Sequence, residues 1–271
     1  MTETSQPVPR RRVLQLGALG AAVGAASAAG VIRPTPAWAL VSYNEIWGQR
    51  TYYEGSGQPS YFSYDAGFYS RLETWLSYWY VNTPGTWLTP LRVWSLGAYV
   101  NKPGAHGLGR AFDLTRLYVT SGGNITRTFR ADYNNWRYLT GTALTLTRRW
   151  YWGTSASLHY HFRNVLTYPY TNYTGDTEHW NHIHIDNLIS GSGNSNFATS
   201  SEAQVKHVQA CCTYIWGYAT TIDGIWGPQS DTNSRRVLAR VGRSGGLTTS
   251  QSNWLYFNHV STRYGMGTQA Y

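Results

Sequence analysis

The sequence predicts an α+β protein: a small antiparallel sheet with helices, followed by an all-α three-helix module. Three observations carry that expectation. Runs at residues 91–96, 111–119 and 182–188 alternate with the period of two that turns every second side chain to one face of a strand. Residues 64–80 instead place Phe68, Leu72, Trp75, Leu76 and Trp79 at offsets of three and four, which is one face of a helix. Beyond a Gly/Ser/Asn stretch at 189–202, helical segments run to the end of the chain.

With 271 residues, 42% of them hydrophobic, the chain is long enough to bury a core and to hold more than one domain. Residues 40–60 are rich in Tyr and Gly with a weak pattern, expected as loop or short strand. Asp65 is a suitable cap for the helix at 64–80, and Pro84-Gly85 a suitable stop. The strand at 91–96 leads into a glycine-punctuated loop at 97–109. The strand at 111–119 ends in the turn Ser121-Gly-Gly-Asn124. Residues 132–153 hold Trp136, Leu139, Leu144, Leu146, Trp150 and Trp152 in mixed spacing that fits neither period. Residues 155–166 read as a helix, 168–177 as a loop, and 182–188 as the last strand of a domain spanning 40–188. Residues 189–202 have the composition of a linker. A module at 203–271 follows: a helix from Val205 through Trp216, a tight turn at Asp223-Gly-Ile-Trp-Gly-Pro228, a helix at 232–241, and one at 247–264 capped by Thr248 or Ser250.

The first 39 residues read as an address. Arg10, Arg11 and Arg12 precede an apolar Ala/Gly-rich run from Val13 to Ile32, and Ala37-Trp-Ala39 is an A-x-A cleavage site. The paired arginines before Val13-Leu14 resemble the twin-arginine export signal. A secreted or wall-associated protein, with no membrane insertion after cleavage, is the expectation. The formal charge of +9 falls when Arg10, Arg11, Arg12, Arg33 and Glu3 leave, yet the remainder stays basic. Such a protein is drawn to polyanionic wall polymers. Nucleic acid is excluded as a partner by export and by the absence of a Lys/Arg run. The chain carries 22 Tyr and 13 Trp against 13% charged residues, which suits contact with sugars as well as an aromatic core. The two cysteines, Cys211 and Cys212, are neighbours, so a disulfide scaffold and a thiolate metal site are both excluded.

The chemistry concentrates in two stretches, Gly104-Ala-His-Gly-Leu-Gly-Arg-Ala-Phe-Asp113 and Glu178-His-Trp-Asn-His-Ile-His-Ile-Asp186. In a strand, His182 and His184 point to the same face. Imidazoles and one carboxylate on adjacent strands form the donor set of a catalytic zinc ion, Zn2+, whose fourth position is left to water. His159-Tyr-His161 repeats the His-x-His spacing, but on a helix its two rings diverge.

His106-Gly-Leu-Gly-Arg-Ala-Phe-Asp113 resembles the Ser-x-His-x-x-Gly-x-Ala-x-Asp signature of zinc D-alanyl-D-alanine carboxypeptidases, in the group shared with lysostaphin-type peptidases and hedgehog domains. Phe162-Arg-Asn-Val-Leu-Thr167, followed by His179-Trp-Asn-His-Ile-His-Ile-Asp186, looks most like the extensin-like carboxy-terminal domains of that group. The resemblance spans residues 85–188 and implies His106, Asp113 and His184 as zinc ligands, with His182 as a catalytic group beside them. Gly104 stands where the carboxypeptidases have Ser, and Asn181 where extensin-like domains have Asp; neither is a ligand position. The carboxypeptidases place a Glu shortly before their last ligand, so Glu178 is an alternative general base, His179 a third, and Asp186 a residue that orients a ligand or caps the strand. Residues 203–265, with Asp223-Gly-Ile-Trp-Gly-Pro228 between helices, look like a peptidoglycan-binding module. The resemblances imply a peptidase of D,D-carboxypeptidase or endopeptidase type acting on peptidoglycan or another wall polymer. A non-catalytic wall-binding protein, with structural zinc or none, is the alternative.

Overall fold

The computed structural model of the chain describes residues 40–84, 92–121, 124–170, 178–188 and 194–271. The export segment expected at 1–39, Gly85, Leu91, the Gly122-Gly123 turn centre, and residues 171–177 and 189–193 lie outside the described residues.

The class is mixed α+β, with antiparallel and parallel strand pairs. The stretch expected as loop or short strand forms β1 (Val41–Tyr43), β2 (Glu45–Ile46), β3 (Gln49–Tyr53) and β4 (Gln58–Pro59), followed by β5 (Phe62–Tyr64). Helix α1 (Ala66–Val81) begins at Asp65, whose carboxylate accepts the Phe68 amide as the sequence predicts. Its apolar stripe of Phe68, Leu72, Trp75, Leu76 and Trp79 is buried. Strand β6 (Arg92–Ser95) pairs parallel with β3, so the sheet is not purely antiparallel. Parallel neighbours need a crossover, and α1 lies in the connection that supplies one. Strands β7 (Ala111–Ser121) and β8 (Asn124–Arg130) form an antiparallel pair. With β9 (Asn164–Leu166) and β10 (Ile183–Asp186), the described order is β2-β3-β6-β7-β10-β9, with β4 on β3 and β8 on β7.

Residues 155–166, expected as one helix, divide. Helix α3 runs Gly141–His161, after the short α2 (Tyr133–Trp136), and residues 164–166 are strand β9. From Tyr151 through His159 every residue of α3 is buried. Residues 132–150 are mostly half-buried or exposed and are divided between α2, a turn and the first half of α3, so no single period covers 132–153.

Helix α3 packs on α1, β8 and β9, and also on the C-terminal helices. These are α4 (Glu202–Ala210), which continues into a π-helical turn at Cys211–Ile215, and α6 (Gln251–Met266); α5 (Pro228–Arg240) packs on both of them. Ser250 caps α6 by accepting the Asn253 amide, and Pro228 opens α5. Cys211 and Cys212 are free and both buried. Sheet and helices share a continuous core, and the described residues belong to one compact unit. The described part of the stretch expected as a linker is tied down. Arg71 donates to the Asn194 side chain, and Ser195 Oγ donates to the His159 carbonyl at 2.5 Å while accepting Trp254 Nε1–H at 2.8 Å. Ser and Asn supply hydrogen bonds there, whereas composition alone reads them as slack. No described helix is long and apolar enough to cross a membrane.

Helices α3 and α6 approach closely through glycines. A Cβ on Gly265 would lie 2.9 Å from both Gly153 Cα and the Arg149 carbonyl oxygen. Gly265→Val is therefore expected to destabilise the protein by about 1–3 kcal/mol through overpacking. Thermal unfolding checks this: a lowered midpoint is expected, and an unchanged one contradicts the close approach.

Candidate metal centre

Asp113 stands on β7 directly opposite His184 on β10, so the two side chains share one face of the sheet. A bulge sets that face. Trp94 pairs with Arg116 but Ser95 pairs with Leu114, leaving Thr115 as an extra residue in β7. The bulge lets Leu117 and Val119 on one side of it, and Phe112 and Leu114 on the other, all point into the core. Asp113, between Phe112 and Leu114, is turned outward. Ile183 and Ile185 of β10 are fully buried, so His184 and Asp186 face outward as well.

His106 comes from a 3₁₀ turn, His106–Leu108, between β6 and β7. Two glycines in His106-Gly-Leu-Gly109 are required by space. A Cβ on Gly107 would lie 1.7 Å from the Lys102 carbonyl oxygen, and Gly109 adopts φ +68° with its Cβ position 2.7 Å from the Asp65 nitrogen. The Asp65 amide donates to the Gly109 carbonyl at 2.9 Å, which fixes the turn against the start of α1.

Three imidazoles converge on the Asp113 carboxylate. His106 Nε2 lies 3.3 Å from its Oδ2, His184 Nδ1 2.9 Å from its Oδ1, and His182 Nε2 3.4 Å from the same Oδ1. The far nitrogen of each imidazole meets an oxygen. His106 Nδ1–H donates to the Ala98 carbonyl, His182 Nδ1–H to Asn181 Oδ1 at 2.7 Å, and His184 Nε2–H to Asp186 Oδ2 at 2.9 Å. Asp186 is itself anchored, its Oδ1 accepting from Asn164 Nδ2 at 2.9 Å and from the Leu188 amide at 3.0 Å. It thus orients His184 and holds the end of β10 together.

The charges follow from these contacts. Burial opposes ionisation of Asp113, but hydrogen bonds from His106 and His184 and the field of His182 outweigh it and hold the carboxyl well below its usual range. Burial also opposes a proton on His184, yet Asp113 and Asp186 overcome it and raise its pKa to about 9. On His182 burial prevails over the pull of Asp113, and the pKa falls to about 4.

His106, Asp113 and His184 each offer a donor atom within 4.8 Å of the other two, and this group could hold a metal ion. Its chemistry fits: two imidazole nitrogens and a carboxylate oxygen, with an oxygen partner behind each ring. The three donor atoms lie within 4.8 Å of one another, near enough to close on one ion. The structure therefore brings together the sequence-predicted His106, Asp113, His184 and His182. His182 lies just before β10, which starts at Ile183 and ends at Asp186, shorter than the strand expected at 182–188. Glu178 opens the 3₁₀ turn Glu178–Trp180, and its side chain lies outside the described residues. His179 is buried with its ring 5.3 Å from that of His182. His159 and His161 end α3 in the core and join no metal-holding group among the described residues. The Ala98 carbonyl and Asn164 escape sequence reading, because a backbone oxygen and a neighbouring-strand amide leave no spacing signal.

Comparison with family models, with curated proteins and with solved structures gives no match for this chain.

The two shifted histidines of the centre contribute to a stability optimum in the metal-free protein, His182 sharing the acid side with His159, His161 and His207, whose pKa values burial also lowers. His184 has a folded pKa of about 9 against 6.5 unfolded, so its contribution is complete below about pH 6.5 and is lost as pH rises through 9. His182, at about 4 when folded, acts on the acid side: below about pH 6.5 the unfolded chain binds a proton that the folded chain refuses, so stability falls toward pH 4. Denaturant unfolding of metal-free protein is expected to peak between about pH 6 and 7. His184→Ala should flatten the alkaline limb, and His182→Ala should lessen the acid limb to which His159, His161 and His207 also contribute; limbs unchanged in both variants contradict these assignments.

Proposed function

We propose that this chain is an exported zinc-dependent peptidase acting on peptidoglycan peptides, of D,D-carboxypeptidase or endopeptidase type. Its C-terminal helices serve as a wall-binding module. The observation that carries the proposal is the convergence of three imidazoles on one aspartate, each ring held from behind by an oxygen. Structural zinc sites close four protein donors around the ion, whereas three donors beside a spare histidine leave room for a reacting molecule. His106, Asp113 and His184 would hold the ion. When bound, zinc polarises a carbonyl and makes a water acidic enough to react near neutral pH.

The remaining work falls to the protein. At neutral pH His182 is uncharged, with its proton on Nδ1 against Asn181 and its lone pair on Nε2 beside Asp113. It is placed to take the proton of the attacking water and to deliver it to the leaving amine as the peptide C–N bond breaks. As an imidazolium it also steadies negative charge on the tetrahedral carbonyl oxygen. Asp186 keeps Nδ1 of His184 turned toward the centre by holding Nε2. Near the C terminus, Asp223 Oδ1 accepts the Ile225 amide at 2.9 Å and Gln209 Nε2–H at 2.8 Å, a rigid turn that leaves Ile225 exposed for contact.

One observation favours the second reading, a wall-binding protein without metal. Asp113 and a protonated His184 already satisfy one another, so the site is electrostatically complete with no ion. The test uses the chain lacking residues 1–39, D-Ala-terminated wall peptides and zinc, with released amino acid and peptide followed by mass spectrometry. The expected result is turnover abolished by a chelator, lost together with bound metal in His184→Ala. In His182→Ala turnover should fall about 100-fold or more while metal is retained. Absence of turnover with metal bound, or turnover that survives chelation, contradicts the peptidase reading.

A further inference from the structure

The outer face of the sheet continues past the metal centre along β7. Three residues beyond Asp113, Arg116 stands opposite Trp94 of β6 on one side and Arg130 of β8 on the other. Directly opposed residues share a face, and the next pair, Leu117 and Phe129, is buried in the core. Arg116, Arg130 and Trp94 are therefore turned outward and half-buried, with Arg92 exposed one pleat further along β6. Two arginines directly opposite one another on neighbouring strands repel. Glu54 neutralises one of them: its Oε2 accepts Arg116 Nε–H at 2.9 Å, and Tyr118 Oη accepts Arg116 Nη1–H at 2.9 Å. Among the described residues no carboxylate pairs with Arg130 or Arg92. Two uncompensated guanidiniums thus flank β7 beside the metal centre.

We propose that this face binds an acidic peptide, holding a carboxylate two or three residues away from the bond that lies at the metal centre. That the polymer is a peptide rests on the peptidase reading; that it is acidic rests on the charge of the face. Length fits first. A strand and an extended peptide both rise about 3.3 Å per residue, so Arg116 and Arg130 stand roughly 10 Å from Asp113, or three peptide residues. Chemistry fits next, because a guanidinium presents a planar fork of N–H donors that matches a carboxylate. The aromatic rings argue against a sugar or a nucleobase as the bound group. Tyr52 and Trp94 stack on each other at 5.1 Å, and the Arg92 and Arg116 guanidiniums lie over them at 5.6 and 4.9 Å. Their faces are taken up within the chain, so what the sheet offers a ligand here is charge.

The test is a calorimetric titration of the metal-free chain lacking residues 1–39, at low salt. The probes are two acetylated pentapeptides ending in D-Ala-D-Ala, alike except for Glu or Gln as the second residue. The Glu peptide is expected to bind about tenfold more tightly than the Gln peptide, and the difference to vanish when Arg92→Gln and Arg130→Gln are combined. Arg130→Gln also removes the repulsion across β7, so the double variant should keep an unfolding midpoint no lower than the parent's, which checks that the fold persists. No binding, equal affinity for the two peptides, or a Glu preference that survives in the double variant overturns the proposal. Tighter binding of dimethyl phosphate than of the Glu peptide also overturns it, assigning the face to a phosphodiester polymer. Because neither metal nor turnover enters the readout, failure here is distinct from failure of the peptidase reading.

Discussion

The Asp113 carboxylate is the constraint to which the rest of the site answers. It is largely buried, where a charge is expensive to keep, and it stays charged because three imidazoles surround it. Two of those rings contact one carboxylate oxygen and the third contacts the other, so the aspartate sets where each near nitrogen must lie. The oxygens behind the rings prevent rotation. With the Ala98 carbonyl, Asn181 and Asp186 in place, swinging a ring away from Asp113 also breaks the hydrogen bond behind it. A group of donors held this way changes little when an ion arrives, which is the physical meaning of preorganisation at a metal site.

Much of this depends on the extra residue in β7. Without Thr115 out of register, strict alternation would carry either Asp113 or Leu117 and Val119 to the wrong side of the sheet. The bulge is also where Thr115 Oγ1–H and Arg116 Nε–H donate to Glu54 Oε2, at 2.8 and 2.9 Å, so the kink is pinned from β3's side of the sheet. The sheet that carries the site rests on α1 and α3, and α3 in turn rests on α6 through Gly153 and Gly265. The C-terminal helices therefore support the element beneath the strands as well as forming a surface of their own.

The parts legible in sequence were those governed by local period and local chemistry. Asp65 as a cap, the buried stripe of α1, the strand nature of 111–119 and the shared face of His182 and His184 follow from spacing alone. The grouping of His106, Asp113 and His184 came instead from the resemblance of their two motifs to zinc carboxypeptidases and extensin-like domains. Long-range pairing was not legible. Nothing in Gln49–Tyr53 announces a parallel partner forty residues on, and nothing in Thr115 marks it as the bulged residue. Helix α3 was obscured for a different reason: its first half is mostly half-buried or exposed and follows a short helix and a turn, so 132–153 carries no single period. Ser195 shows a third limit, since a small polar residue looks the same in a loose connection as in a buried bond to Trp254.

The central claim, that His106, Asp113 and His184 jointly hold one ion, is tested most directly by metal content. The chain lacking residues 1–39 would be loaded with zinc, dialysed, and measured by elemental mass spectrometry beside His106→Ala, Asp113→Ala and His184→Ala. The expected result is one zinc per chain, lost in each of the three variants and kept in His159→Gln, a core change outside the site. A metal-free wild-type protein, or zinc retained at full occupancy in the variants, would contradict the account.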